Sequence, residues 1–171
     1  MEANQTQSEA MMPVEPQEEH RWLQKLVGEW TYETEVIMGP DRSIEKATGV
    51  ESVRSLGELW ILAEGQGEMP GCGMATTMMT LGYDPEKQRY VGTWIGSMMA
   101  YLWLYEGELD AAKQMLRLTS EGPDMVVDGK TSRYRDVIEF KSDDYRIMTS
   151  SGMSDNGQWH QFMTTHYRRQ K

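Results

Sequence analysis

A chain of 171 residues with a formal charge of −10 and a pI near 4.8 has the length of one domain, enough to bury roughly two thirds of its unfolded surface. The acidity argues against nucleic acid as a partner, because phosphate recognition draws on clustered Lys and Arg. One cysteine, Cys72, rules out an intrachain disulfide, and no apolar stretch reaches the roughly 18–20 residues of a membrane-spanning helix.

Residues 1–17 are polar and acidic with little to bury, which predicts a flexible tail ahead of one domain over 18–171. The first 19 residues have neither the basic start nor the apolar stretch of a secretory signal, so a cytoplasmic protein is expected. Over 18–27, Trp22, Leu23, Leu26 and Val27 fall on one helical face, and Gly28 is placed to end the helix. Beyond Gly28 the period changes to two. Ten runs rich in Thr, Val, Tyr, Trp and Ile occupy 30–38, 44–56, 59–67, 75–83, 89–96, 100–109, 114–121, 131–140, 144–151 and 158–169. Turn residues separate them, among them Gly39-Pro40-Asp41, Asp84-Pro85-Glu86-Lys87 and Asp155-Asn156-Gly157. No run after Gly28 has the 3.6 period of a crossover helix, so the strands are antiparallel neighbours. A flat meander of this size would leave two open edges, and closure removes them. The predicted fold is therefore an all-β, up-and-down antiparallel barrel of about ten strands with a short N-terminal helix; a sandwich is the alternative.

Gly28-Glu29-Trp30 at the head of the first run resembles the Gly-x-Trp start of calycin barrels, the group of lipocalins and fatty-acid-binding proteins. That resemblance implies an arginine from the closing strand packed over Trp30. In the last run Arg169 shares parity with Trp159, Met163 and Tyr167, whereas Arg168 falls with His160, Phe162 and His166, which favours Arg169. A wider set of motifs runs from Trp22-Leu23 through Leu81-Gly82-Tyr83-Asp84-Pro85, Trp103-Leu104-Tyr105-Glu106-Gly107, Glu121-Gly122-Pro123 and Tyr134-Arg135-Asp136-Val137-Ile138-Glu139 to Phe162-Met163-Thr164-Thr165-His166-Tyr167-Arg168-Arg169. Together these resemble the bacterial domain-of-unknown-function 1579 family. The resemblance implies a calycin-like barrel and brings with it no substrate and no catalytic residue.

Parity gathers aromatic residues on the inner faces: Trp30, Tyr32, Tyr90, Trp94, Tyr101, Trp103, Tyr105 and Tyr134, with Met163 on the last run. Small residues beside them, Ala75, Gly92 and Gly96, leave room for a cavity. The same counting places Arg54 beside Val50 and Leu56, Arg117 beside Met115, and Asp136 beside Tyr134 and Ile138. An inward charge must pair or reach water. Arg54 and Arg117 either hold an anionic head group or pair with Asp136, Glu64 or Glu121.

Four functions come from this pattern. The favoured one is a non-enzymatic barrel binding a small apolar or amphipathic molecule, an anion included, at Tyr32, Arg54, Trp94, Trp103, Arg117, Tyr134, Asp136 and Met163. The second is a small-molecule enzyme using Asp136 with an inward arginine. The third is a haem barrel of the nitrobindin type, which needs an inward histidine, whereas His160 and His166 fall on the outward parity. The fourth is a structural or interaction role: residues 98–105 are apolar on both faces, so a covered outer surface and a homodimer are expected. No cofactor is expected, and three histidines with one cysteine show no metal-ligand spacing.

Overall fold

The computed structural model describes residues 13–171; the first twelve residues of the expected tail lie outside it. One helix, α1 (Glu18–Gln24), precedes ten strands: β1 (Gly28–Met38), β2 (Ser43–Leu56), β3 (Trp60–Met69), β4 (Gly73–Asp84), β5 (Arg89–Gly96), β6 (Trp103–Leu109), β7 (Met115–Pro123), β8 (Thr131–Ser142), β9 (Tyr145–Met153) and β10 (Trp159–Arg169). Each strand pairs antiparallel with its neighbours in sequence, and β1 closes on β10 with Trp30 opposite Arg169. The result is a closed ten-stranded up-and-down barrel.

The helix is shorter than its apolar face suggested. After Gln24 the chain tightens through bonds from Leu26 N–H to Leu23 O (3.0 Å) and Val27 N–H to Gln24 O (3.2 Å). It then enters β1 at Gly28, whose φ of 137° suits glycine. Buried polar contacts seat α1 across one end of the barrel. The Trp22 indole donates to Lys113 O at 2.8 Å, the Tyr90 hydroxyl to Glu19 O at 3.0 Å, and the Trp30 indole to Leu26 O at 2.8 Å. His20 Nδ1 accepts the Gln17 N–H and its Nε2 donates to Tyr83 O, so both ring nitrogens are committed at this base.

Strand parity corrects two inner-face assignments. On β2 the inward residues are Ala47, Gly49, Glu51 and Val53, whereas Val50, Arg54 and Leu56 are exposed. The larger apolar residues of this strand sit outside, so hydropathy pointed to the wrong face. Arg117 likewise faces outward, opposite Glu108 and Val137, while Leu116, Leu118, Ser120 and Gly122 fill the inner face of β7.

The sixth strand begins at Trp103 rather than residue 100. Only Glu106–Leu109 pairs with β7, so the two strands part toward the end opposite α1. Tyr101 consequently lies outside the inner face, with its hydroxyl on Glu121 O at 3.0 Å. Trp103 lies against Gly122, where a Cβ would come within 2.3 Å of the indole.

Tyr32 lies over two inward glycines in the same way. A Cβ on Gly67 would meet the Tyr32 hydroxyl at 2.4 Å and Thr48 O at 2.6 Å. Because the second neighbour is backbone, Gly67→Ala should cost about 1–3 kcal/mol through overpacking. Urea denaturation measures it, and an unchanged midpoint would show that the ring and strand yield freely.

Candidate functional site

Exposure along the inner face is uneven. At the α1 end Leu23, Trp30, Leu81, Leu116 and Leu118 are 0 % exposed. In the middle, Tyr167, Tyr105 and Met148 keep 5–9 %. Tyr32, which stands opposite Tyr167, and Trp94, Trp103 and Met163 farther from α1 are only half-buried, whereas Thr34, Ala75, Ser120, Tyr134 and Thr165 beside them are buried. The helix therefore seals one end, and at the opposite end β6 and β7 part beside Trp103.

Among the described residues two carboxyl groups and one guanidinium point inward, Glu51 and Asp136 from mid-strand and Arg146 from the start of β9. Glu51 on β2 and Arg146 on β9 form one ion pair, with side-chain exposures of 13 % and 3 %. The guanidinium lies over Tyr167 at 3.8 Å and over Trp30 at 4.6 Å, and its Nε has no hydrogen-bond partner. Beside it is a space of about 10 Å³, lined by Glu51, Arg146, Tyr167, Leu26, Val53 and Met79 among others. That is about the size of one water molecule. Arg169 covers Trp30 as well, at 4.2 Å, and donates to Val27 O, Lys25 O and Asp143 O.

Asp136 on β8 has a different environment. Its carboxylate accepts from the Tyr105 hydroxyl and from Ser150, and no cation pairs with it among the described residues. It sits at the middle of its strand, on the inner face between Tyr134 and Ile138. Burial pushes its carboxyl up from the ordinary value, and the bonds from Ser150 and Tyr105 oppose this only in part. The Tyr105 phenol is held well above its ordinary value, by burial first and then by the Asp136 charge.

This raised carboxyl has a sign. Where folded Asp136 still holds its proton, the unfolded chain has already released one, so stability falls as pH rises from the ordinary carboxyl range through the folded value. The penalty is complete above that value. Asp136→Asn should therefore be relatively more stable at neutral than at acid pH compared with the parent. Melting curves across that range check this, and parallel curves for the two proteins would contradict it.

The structure thus brings Tyr32, Trp94, Trp103, Tyr134, Asp136 and Met163 to one lumen. Trp103 and Tyr134 meet edge to face at 5.1 Å, and a bulge at residues 161–163 turns Phe162 toward Tyr134 at 6.4 Å. Arg54 and Arg117 are outside the wall, so the expected inward Asp/Arg pair does not form. The counting missed Glu51, Arg146 and Ser150. Arg146 could have been found, because it shares parity with Met148 on a strand whose inner face is otherwise small.

The outer wall carries the other polar features. His166 stacks on Tyr145 and its Nδ1 meets the Tyr145 hydroxyl at 2.7 Å; His160 is exposed beside Ser154. An open depression of about 390 Å³ runs over β10, β1 and β2, lined by Thr31, Glu33, Thr48, Val50, His166 and Arg168 with Tyr32 and Gly49. No group of three metal-ligating side chains occurs among the described residues.

A family model described as a protein of unknown function (DUF1579) matches residues 15–169. The chain belongs to this family. No curated protein matches it. Among solved structures, Rv2717c from M. tuberculosis is similar at 9 % identity with a TM-score of 0.62, over 92 % of this chain and 100 % of that one. At that identity the likeness is one of fold. This DUF1579 member shares the fold of that protein, and the likeness carries no function to it. No helix among the described residues is long and apolar enough to cross a membrane.

Proposed function

We propose that the chain is a non-enzymatic barrel that takes one small apolar or amphipathic molecule through the end opposite α1. The supporting observation is the pair of half-buried inward rings, Trp94 and Trp103, at the end where β6 and β7 part. Small barrels either fill with side chains or hold one ligand. Here the helix end is filled, and Tyr32 and Trp103 lie flat over inward glycines along the wall. The neutral fluorophore N-phenyl-1-naphthylamine should bind saturably with a blue-shifted emission. Met163→Trp, which adds bulk on the inner face, should abolish the signal, while Arg54→Ala and Arg117→Ala should leave it intact. Absence of saturable binding, or binding indifferent to Met163→Trp, would refute this function.

A second reading concerns the outer wall. Ile95, Leu102 and Leu104 are 47–62 % exposed, with Met99 and Tyr101 beside them in the chain. We infer that this face of β5 and β6 meets the same face of a second copy, since a self-complementary patch gives a closed two-fold contact. Sedimentation equilibrium should show a dimer that Leu104→Glu converts to monomer. A monomeric parent protein at high concentration removes the idea.

A further inference from the structure

We infer that the end of the barrel opposite α1 docks on the surface of a zwitterionic lipid bilayer, without spanning it. This goes beyond the small-molecule reading and does not depend on it. In an up-and-down barrel alternate links share an end, so the links 39–42, 70–72, 97–102, 124–130 and 154–158 all lie away from α1. Three of these, 70–72, 97–102 and 124–130, are successive around the rim. They carry or adjoin Met74, Met99, Tyr101, Met125, Val126 and Val127, all exposed. The four links at the α1 end, 57–59, 85–88, 110–114 and 143–144, expose no large apolar side chain, although Leu56 and Trp60 flank the first.

The apolar tips are held in place by polar bonds beneath them. Asp124 Oδ1 accepts from the Val126 and Val127 N–H groups, both at 2.8 Å, and its Oδ2 accepts from the Ser132 hydroxyl. Backbone bonds from Asp124 N–H to Lys130 O and from Lys130 N–H to Val127 O close the same link. Met125, Val126 and Val127 are thereby fixed at 66, 89 and 50 % exposure. In the neighbouring link the Tyr101 hydroxyl bonds Glu121 O on β7, and the Trp103 indole donates to Met99 Sδ. A grouped apolar surface on a folded chain marks a protein or a membrane contact.

Charge and shape choose the membrane. No charged residue lies between Met69 and Tyr83 or between Tyr90 and Tyr105, and in the third link Lys130 pairs with Asp124 and with Asp155. The rim therefore suits an uncharged surface, while the field of a chain carrying −10 repels an anionic one. The apolar groups stand on separate hairpin tips, and the three links hold no arginine or tryptophan, the residues that most often anchor protein contacts. A protein partner has to fit such projections closely, and a second copy offers only the same projections. Acyl chains close around each tip without a matching shape. Since β6 and β7 part at this end, a docked barrel sets that opening against the lipid.

Flotation of the full chain with phosphatidylcholine vesicles, with no small molecule added, tests the docking alone. The parent chain should float with the vesicles, and Val126→Asp should lower its partitioning roughly 10-fold or more, the scale of burying one aliphatic side chain. Leu56→Asp makes the same kind of change at an exposed side chain of the α1 end and should partition like the parent. Adding phosphatidylglycerol to the vesicles should weaken binding at low salt. Failure of the parent to float, equal losses in the two variants, or tighter binding to the anionic vesicles would overturn the inference. So would a Val126→Asp chain that still floats but loses a self-association seen for the parent in sedimentation equilibrium, which would give the rim to a second copy. None of these outcomes touches the small-molecule reading, whose fluorophore is titrated without vesicles.

Discussion

Glu51→Ala should lower the unfolding free energy by about 3–5 kcal/mol, the range found when one partner of a buried ion pair is removed. The expectation follows from where Arg146 is left. Its guanidinium stays enclosed between Tyr167 and Trp30 with its ion-pair partner gone and its Nε already without an acceptor. At 3 % exposure the side chain cannot reach water without disturbing the strands. The double variant Glu51→Leu/Arg146→Met should recover most of the loss, because the intact pair also carries the cost of desolvating two charges. Urea denaturation of both single variants and the double gives the coupling directly. A loss below about 1 kcal/mol in Glu51→Ala, the range of an exposed pair, would mean that something other than Glu51 neutralises Arg146.

The same ion pair shows where a sequence speaks and where it is silent. On β1 the inward Trp30, Tyr32, Thr34 and Val36 alternate with Thr31, Glu33 and Glu35, so hydropathy and parity agree. On β2 they conflict. Ile44, Val50 and Leu56 are the larger apolar side chains and they are exposed, while the inner face consists of Ala47, Gly49, Glu51 and Val53. Small inner residues are required there because Tyr32 lies across Gly49 and Gly67. That demand comes from a neighbouring strand and leaves no trace in the local pattern. A register error of one residue exchanges every inner and outer side chain, which is how Arg54 took the place that belongs to Glu51.

Asp136 was legible because Tyr134 and Ile138 flank it at the same parity, and Arg169 because Met163 and Tyr167 do. Ser150 was not, since a serine in a strand carries no hydropathic sign of its face. Its part in the site appears only when β8 and β9 are set in register. The antiparallel order followed from turn chemistry and the absence of crossover helices, both local signals, and closure from the two edges that a flat sheet of ten strands would leave open. The composition of the lumen depends on contacts between strands distant in sequence, such as Tyr105 with Asp136.

Trp30→Ala should be as damaging as the loss of Glu51, about 3–5 kcal/mol for a large aromatic removed from a sealed core. The indole is 0 % exposed, so little of the space can be reclaimed by water or by a shift of surface groups. Three partners lose it together. Leu26 O loses its indole donor, Arg169 loses the ring it covers at 4.2 Å, and Arg146 loses one of its two aromatic faces. Trp30→Phe should cost less, because a ring remains for both guanidinium groups and only the hydrogen bond and part of the volume are lost. The coupling to Arg146 makes the expectation sharper. In the Glu51→Leu/Arg146→Met background Trp30→Ala should cost less than in the parent chain, since the cation over its ring is gone, and residues in contact are not additive. Circular dichroism in urea, which does not depend on the remaining tryptophans, provides the midpoints. Equal losses in the two backgrounds would show that Trp30 serves only as volume at the closed end, and that Arg146 is held there by Glu51 and Tyr167 without it.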